Sequence, residues 1–138
     1  MSGRMVTFTL DGHLYGVEVD AVQEVLRGQT CTRIPLAPHT VAGLINLRGQ
    51  VLSAIDLRAL LDLPPQEGAE PMLVVIRVGG EPIALLVDTI GSVVDVDAAQ
   101  FEPPPDTLSG PSRELLLGAY KLEDQLLLAL DVNRAVAA

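Results

Sequence analysis

The sequence predicts a mainly β fold, for three reasons. Short apolar runs rich in Val, Leu and Ile alternate with turns that contain Gly, Asp or Asn, which is the pattern of antiparallel strands. The segments with helical character are too short to serve as the crossovers of a parallel sheet. Aromatic residues are only 3% of the 138 residues and Trp is absent, so the core must be built from aliphatic side chains.

The first elements are expected to be a β-hairpin and a short helix. Two apolar runs, residues 6–10 and 14–19, flank a polar turn that contains a glycine, and glycine adopts a positive φ at low cost. After this hairpin, Asp20 has a side chain suited to cap a helix over residues 21–26. Gly28 is placed to end that helix.

A second hairpin is expected around a single arginine. Residues 44–47 and 50–55 are near-continuous apolar runs, and only Arg48 and Gly49 separate them. Runs of this kind are typical of strands that are buried on both faces. Directly after them, Asp56 is placed to cap another short helix.

Residues 64–71 (PPQEGAEP) have the composition of a linker. Beyond it, residues 72–78 and 82–87 surround a Gly-Gly pair and predict a third hairpin. Residues 90–96 predict a strand, or a mixture of strand and helix. A last pair of strands, over 115–122 and 125–130, is followed by an aspartate that can cap a closing helical turn.

The two halves of the chain resemble each other. The segment that starts at Gln125 aligns without a gap with the segment that starts at Gln50, an offset of 125 − 50 = 75, and the same offset pairs Gly43 with Gly118. Earlier segments align at an offset of 83 − 15 = 68. The repeat predicts one domain over 1–138, made of two packed lobes. The expected lobes span about 6–63 and 72–136, with the linker at 64–71 and a groove between them.

Charge and composition exclude several classes of function. Nine Lys and Arg residues against 18 Asp and Glu give a net charge of −9, which repels nucleic acid and anionic lipid headgroups. Charged residues or prolines interrupt every long apolar run before the ~18 residues that a membrane span needs. The start of the chain lacks the pattern of a signal peptide. We therefore expect a cytoplasmic protein that neither binds nucleic acid nor inserts into a membrane.

The chain offers few residues for catalysis or metal binding. Cys31 is the single cysteine, so it has no internal disulfide partner, and it lies in no Cys-x-x-Cys pattern. His13 and His39 lie in predicted turns without metal-ligand spacing. No nucleophile elbow and no phosphate-binding glycine loop is present. These observations predict no cofactor, no metal and no enzyme activity.

The block GLINLRGQVLSAIDLR, at residues 43–58, resembles the CheW family of chemotaxis coupling proteins. The flanking segments YGVEVDAVQEV, TRIPLAP, LLVDTIGSV and FEPPP are also similar to that family, so the resemblance covers nearly the whole chain. It implies two packed five-stranded SH3-like β-barrels with short helices. The family usually has proline at the position of Ser53, where serine would change the local geometry of a strand.

The resemblance also implies partners and site residues. CheW-like proteins join a CheA-type histidine kinase to the cytoplasmic tips of methyl-accepting chemoreceptors, in arrays at the membrane. Carried over by position, Arg48 and Glu24 form a structural pair that organises the receptor-facing region. Val22, Gly43 and Val93 fall at positions associated with receptor or kinase coupling.

Other interpretations of these residues remain open at this point. Arg48 fits a solvated turn, and Val22 and Val25 fit ordinary core positions as well as an apolar groove for a receptor helix. The chain as a whole is compatible with a small β-barrel enzyme or ligand-binding domain, although convergent polar groups are lacking. A CheW-like adaptor that serves gliding, pili or gene regulation is a further alternative, because sequence does not distinguish these outputs.

Overall fold

The computed structural model describes residues 2–27, 31–65 and 70–137, and it confirms the mainly β class. The strands are β1 (Ser2–Leu10), β2 (His13–Glu18), β3 (Val22–Arg27), β4 (Cys31–Thr32), β5 (Val41–Leu47), β6 (Gln50–Asp56), β7 (Met72–Val78), β8 (Glu81–Val87), β9 (Thr89–Asp97), β10 (Phe101–Glu102), β11 (Leu116–Lys121) and β12 (Leu126–Leu130). The helices are α1 (Leu57–Leu60), α2 (Pro111–Glu114) and α3 (Val132–Ala137), with 3₁₀ turns at Val19–Ala21 and Ala98–Gln100. The expected linker lies partly outside the described residues, at 66–69.

The strands form two six-stranded sheets. Sheet 1 has the order β10-β11-β12-β2-β1-β9, and sheet 2 has the order β3-β7-β8-β6-β5-β4. The expected five-stranded closed barrels are therefore corrected to six-stranded sheets, and no pairing among the described residues joins the two ends of either sheet. Each sheet consists of antiparallel hairpins joined by one parallel pairing, between β12 and β2 or between β6 and β8.

The sheets do not follow the expected lobes at 6–63 and 72–136. The hairpin β1–β2 from the first half lies in sheet 1, with strands of the second half. The hairpin β7–β8 from the second half lies in sheet 2, with strands of the first half. The two halves thus exchange one hairpin each, which buries both faces of these apolar hairpins, as their near-continuous hydrophobic pattern requires.

The strand registers obey both sequence offsets. Ala54 of β6 pairs with Ala84 of β8, and Ala129 of β12 pairs with Gly16 of β2. An offset of 75 relates Ala54 to Ala129, and an offset of 68 relates Gly16 to Ala84. The exchange of hairpins is therefore reciprocal, and the two sheets are related by an internal pseudosymmetry.

Three apolar clusters form the core. The largest lies between the sheets and contains Phe8 and Tyr15, whose rings stack with centroids 6.1 Å apart. A second cluster lies on the other face of sheet 2, around Leu52, and a third on the other face of sheet 1, around Leu127. Along β7, Val74 belongs to the first cluster whereas its neighbours belong to the second. Burial of such side chains stabilises the fold by about 1.5–3 kcal/mol each.

The predicted helix over 21–26 is wrong. Residues 22–27 form strand β3, whose side chains alternate between half-buried and exposed. Asp20 lies in the 3₁₀ turn Val19–Ala21 and caps no helix there. Antiparallel pairing with β7, for example Val25 with Val74, provides hydrogen bonds and burial that an isolated helix of one or two turns lacks. Gly28, the expected end of the helix, lies outside the described residues.

The two other predicted caps are confirmed. The Asp56 carboxylate accepts hydrogen bonds from the backbone N–H groups of Arg58 (3.0 Å) and Ala59 (3.3 Å) at the start of α1. The Asp131 carboxylate accepts from the N–H of Arg134 (3.2 Å) at the start of α3. These aspartates satisfy helix donors that would otherwise lack a partner.

Candidate protein-binding site

Arg48 lies in the tight turn between β5 and β6. Its backbone has a φ of +53°, and Gly49 has a φ of +84°. The Asn46 side-chain oxygen accepts a hydrogen bond from the Gly49 N–H at 3.0 Å. Two consecutive residues with positive φ make a turn whose twist matches the strands of the hairpin. A non-glycine residue with this φ is uncommon.

Arg48 forms a two-point ion pair with Glu24 of β3. The Nη1 atom donates to Oε2 at 2.9 Å, and the Nη2 atom donates to Oε1 at 2.6 Å. The Glu24 side chain is only 18% exposed, whereas the Arg48 side chain is 71% exposed. Since β3 is one edge of sheet 2 and β5 lies next to the opposite edge, the pair joins the two ends of the curled sheet.

The ion pair changes the proton affinity of both groups. Hydrogen bonds from Arg48 lower the pKa of the Glu24 carboxyl below its ordinary value, and burial opposes this effect only in part. Hydrogen bonds to Glu24 raise the pKa of the Arg48 guanidinium. Both groups therefore stay charged at neutral pH, and the guanidinium keeps a fixed orientation.

Three valines on the edge strands form an apolar feature that we call the edge surface: Val22, Val25 and Val93. Val93 is 55% exposed and Val25 is 43% exposed, while Val22 is half-buried against the core between the sheets. β3 and β9 are the outer strands of their sheets, and β7, the neighbour of β3, contacts β9.

The edge surface follows the internal pseudosymmetry. Val25 pairs with Val74, and Val93 pairs with Val6. Both partners belong to the core between the sheets, so the two exposed valines face the same side as this core. An offset of 68 relates Val25 to Val93. Val25 was not among the site residues expected from the sequence, and this offset is the signal that identifies it.

Gly43 is not part of that surface. It lies on β5, is buried, and has a φ of +150°. A Cβ atom there would overlap the carbonyl oxygen of Thr32 on the adjacent strand β4. Gly118 is its counterpart at the offset of 75, and a Cβ atom there would likewise overlap the ring of Phe101. The repeated glycine therefore allows the outermost short strand of each sheet to approach closely, and Gly43 itself has no side chain to offer a partner.

The Glu24–Arg48 pair and the edge surface use opposite faces of β3. Glu24 pairs with Val75, which belongs to the cluster on the far face of sheet 2, whereas Val22 and Val25 face the core between the sheets. A β-bulge between Val22 and Glu24 adjusts the direction of the side chains at this point. The structure thus brings Val22 and Glu24 together on one strand and presents their side chains in different directions.

A second ion pair, which the sequence did not suggest, joins Arg58 of α1 to Asp88. The Nε atom donates to Oδ1 at 2.7 Å, and the Nη2 atom donates to Oδ2 at 2.5 Å. Each side chain is only 13% exposed. Hydrogen bonds from Arg58 lower the pKa of the Asp88 carboxyl. The repeated aspartate at positions 20 and 88 was a signal that could have pointed to it, although among the residues that the structure describes only Asp88 has an arginine partner.

The described residues contain no arrangement typical of a catalytic or metal centre. No group of three or more His, Cys, Asp or Glu side chains within 2–27, 31–65 and 70–137 is placed to hold a metal ion. Burial raises the pKa of the Cys31 thiol, which makes it a poor nucleophile. The cavity beside Arg58 and Asp88 has a volume of about 120 Å³ and is lined by this satisfied ion pair. Across the same described ranges, none of the helices has the length and apolar content to span a membrane.

Comparison with known proteins identifies the family. The family model for the CheW-like domain matches residues 4–138. The chain belongs to the CheW-like family. The resemblance carried by the Asn-Leu-Arg-Gly block is thereby confirmed.

CheW proteins of several bacteria are similar along almost their whole length. The chemotaxis protein CheW of Bacillus subtilis is 30% identical over 131 residues, which are 94% of this chain and 84% of that protein. The chemotaxis protein CheW of Treponema pallidum is 28% identical over 136 residues, 95% of this chain and 80% of that protein. The protein FrzA of Myxococcus xanthus is 32% identical over 108 residues, 77% of this chain and 66% of that protein.

A solved CheW structure has the same fold. The crystal structure of the scaffolding protein TtCheW from Thermoanaerobacter tengcongensis superposes with a TM-score of 0.84 and 28% identity, covering 94% of this chain and 89% of that one. The CheW-like fold, with two β-sheets in a mainly β chain, is therefore common to both chains.

Proposed function

We propose that the chain is a non-enzymatic adaptor that couples membrane chemoreceptors to a CheA-type histidine kinase. The observation that carries the proposal is the edge surface, where two pseudosymmetric valines are more than 40% exposed on the outer strands of the two sheets. Apolar side chains exposed in this way suit a protein partner. Membership in the CheW-like family and the similarity to a scaffolding protein support the same function.

The edge surface is the proposed contact for the receptor. The helical hairpin at the cytoplasmic tip of a chemoreceptor presents apolar side chains at the spacing of one helix face, which an apolar groove can bind. Val22 and Val93 are the residues that we assign to this contact, and Val25 extends it. β3 and β9 are the outer strands of their sheets, and the backbone of an outer strand can add polar contacts to a partner.

Arg48 and Glu24 are the proposed organisers of the region. Because Glu24 holds the guanidinium at two points, the exposed part of Arg48 has a fixed direction before a partner arrives. This order reduces the entropy that binding would otherwise cost. Gly43 contributes indirectly, since it allows β4 to pack on β5 beside the Arg48 hairpin.

The kinase contact is proposed to involve the kinase's own CheW-like regulatory domain. Each contact of a chain of this size is small, so a single pair binds weakly, and the array supplies strength through a high effective concentration. In this proposal the chain lies in the cytoplasm and is recruited to receptor arrays at the membrane. It needs neither a cofactor nor nucleic acid.

The test is incorporation into assemblies. The purified chain is mixed with membranes that contain chemoreceptors, with and without a CheA-type kinase, and the membranes are sedimented. The proposal predicts that the chain sediments with receptors and kinase together, and that binding to either partner alone is weaker. Failure to sediment with the complete mixture would contradict it.

The similarity to FrzA of Myxococcus xanthus favours a second candidate, in which the same adaptor serves an output other than flagellar chemotaxis, such as gliding, pili or gene regulation. The two candidates differ in the receptors and kinase that they use. Affinity purification of the tagged chain from its native cell, followed by identification of the attached receptors and kinase, distinguishes them.

A further inference from the structure

The chain crosses between the two sheets at two pseudosymmetric places. The first crossover is the 3₁₀ turn Val19–Ala21, which leads from β2 in sheet 1 to β3 in sheet 2. The second is Asp88, which leads from β8 in sheet 2 to β9 in sheet 1. The offset of 68 places Asp20 of the first crossover at the position of Asp88 in the second.

The Asp88 crossover is held from several directions. The carboxylate accepts two hydrogen bonds from Arg58, and it also accepts the backbone N–H of Asp11 at 2.9 Å. The Asp88 N–H donates to the carbonyl of Thr9 at 3.1 Å. Arg58 further donates to the carbonyl of Pro64 at 2.5 Å and lies 3.9 Å from the Asp11 carboxylate. Since Arg58 follows sheet 2 and Asp11 lies in a turn of sheet 1, these bonds fasten the crossover to both sheets.

The Val19–Ala21 crossover lacks this fastening. The offset of 75 places Asn133 at the position of Arg58, and Asn133 has no positive charge. Asp20 is exposed and, within the residues that the structure describes, its side chain forms neither an ion pair nor a hydrogen bond. The 3₁₀ turn also has no side-chain cap at its start.

We propose that Arg58 and Asp88 are positioning residues that fix β9, and that the Val19–Ala21 crossover is the hinge at which Val22, the first residue of β3, adjusts when a partner occupies the edge surface, while the Arg48–Glu24 pair holds the rest of the strand. Val93 then lies on the fixed wall of that surface, and Val22, directly after the hinge, lies on the movable wall. Segments that move on binding are drawn from the parts of a fold with the lowest local stability. The movement of the hinge on binding of a partner rests on the proposed function, whereas the difference between the two crossovers does not.

Hydrogen exchange of the whole chain tests the asymmetry without any partner. In the wild type, we expect the amides of 88–91 to exchange at least about tenfold more slowly than those of 19–22. Arg58→Gln should remove most of this difference, because it accelerates exchange at 88–91 alone. Asn133→Arg places an arginine at the position that the offset of 75 relates to Arg58, and a bond from this arginine to Asp20 should slow exchange at 19–22. Equal rates at the two crossovers in the wild type, or an unchanged rate at 88–91 in Arg58→Gln, would overturn the proposal.

The movement of the hinge is tested with the soluble cytoplasmic fragment of a chemoreceptor as the probe. Binding of the fragment to the wild type should slow exchange at 19–22 and leave 88–91 unchanged. Asn133→Arg should weaken binding of the fragment about tenfold, because a second clamp restricts the hinge. If Asn133→Arg slows exchange at 19–22 and still binds the fragment with wild-type affinity, the Val19–Ala21 crossover is not a hinge for binding. If Asn133→Arg fails to fold, the wild type still tests the hinge. Binding of the fragment that slows exchange at 88–91 and not at 19–22 would contradict it.

The two proposals fail in different ways. If the wild type does not bind the fragment, the receptor contact is wrong, and the exchange rates of the free chain still decide whether Arg58 and Asp88 hold the second crossover. If the fragment binds and the two crossovers exchange alike, the adaptor function stands and the hinge is wrong.

Discussion

The Arg48 guanidinium and the Glu24 carboxylate meet through two parallel hydrogen bonds, of 2.9 and 2.6 Å, although they lie 24 positions apart in the chain. The pair connects the turn β5–β6 to the edge strand β3. Glu24 is largely covered, and Arg48 remains 71% exposed. The arginine is therefore held from one side while its other side stays free for a partner.

The first prediction concerns Arg48→Lys. Lysine keeps the charge and loses the two-point geometry, so we expect an unchanged fold and about tenfold weaker binding to the receptor or kinase. Sedimentation with receptor membranes and kinase measures the binding, and circular dichroism checks the fold.

Arg77→Lys is the matched control for this change. Arg77 is also an exposed arginine beside a hairpin turn; it donates to the carbonyl of Gly80 and, among the described residues, pairs with no acidic side chain. The Arg77→Lys variant should bind the receptor and the kinase as the wild type does. Wild-type binding by Arg48→Lys itself would count against the role of the ion pair.

The second prediction concerns Val93→Asp. Its side chain is 55% exposed, so a carboxylate there remains hydrated and the fold should keep its melting temperature within about 3 °C. A charge opposite an apolar receptor helix should weaken binding to the receptor fragment by at least about tenfold. Leu117→Asp is the control, because Leu117 is 53% exposed on β11, four strands away from β9 in sheet 1. Equal loss of binding in both variants would show that the edge surface is not the contact.

The third prediction separates structure from contact at Gly43. Gly43→Ala places a methyl group on the Thr32 carbonyl at a φ of +150°, so we expect the free energy of unfolding to fall by about 3 kcal/mol. Urea titration measures this change. Gly3→Ala, where no atom lies within 4 Å of the added carbon, should change it by less than about 1 kcal/mol. A fully stable Gly43→Ala chain that fails to bind would instead indicate a direct contact.

The fourth prediction concerns the Arg58–Asp88 pair and pH. Arg58 lowers the pKa of Asp88 in the folded chain, so the ionised carboxylate stabilises the fold above its ordinary range, and this contribution is lost as the pH falls through the folded pKa. Asp88→Asn should lower the free energy of unfolding by about 2 kcal/mol at pH 7. The difference from the wild type should shrink at pH 3. Asp124→Asn, a change at an exposed residue, should show no such pattern, and a difference that grows on acidification would refute the assignment.

Much of the fold could be predicted because short-range patterns determine it. Hairpins were correctly placed where glycine-containing turns separate apolar runs, and the caps by Asp56 and Asp131 follow from local hydrogen bonding. The segment at 22–27 was not predictable in this way. Its spacing suits a helix, and only its pairing with β7, distant in sequence, makes it a strand.

The lobes illustrate the same limit. Offsets of 68 and 75 revealed two related halves, and a division near 64–71 was the simplest interpretation. The hairpins β1–β2 and β7–β8 are apolar on both faces, so both faces must be packed against other elements. The exchange of hairpins between the halves provides this packing. Nothing in the local sequence states which half supplies that cover.

The expected site residues followed from the resemblance to the CheW family, position by position, and the repeat adds one more to them. Val25 follows from Val93 through the offset of 68. The Arg58–Asp88 pair depends on two sheets meeting at one crossover, which requires the topology. Gly43 had been expected as a coupling residue, and its buried position gives it a packing role that its sequence context alone does not reveal.

The central claim is that this chain joins a receptor to a kinase, and the most direct measurement is its sedimentation with receptor membranes as kinase is added. The account predicts that the bound fraction of the wild type rises when kinase is present, and that this rise is lost in Val93→Asp and retained in Leu117→Asp. A wild-type chain that stays in the supernatant with both partners present would contradict the account.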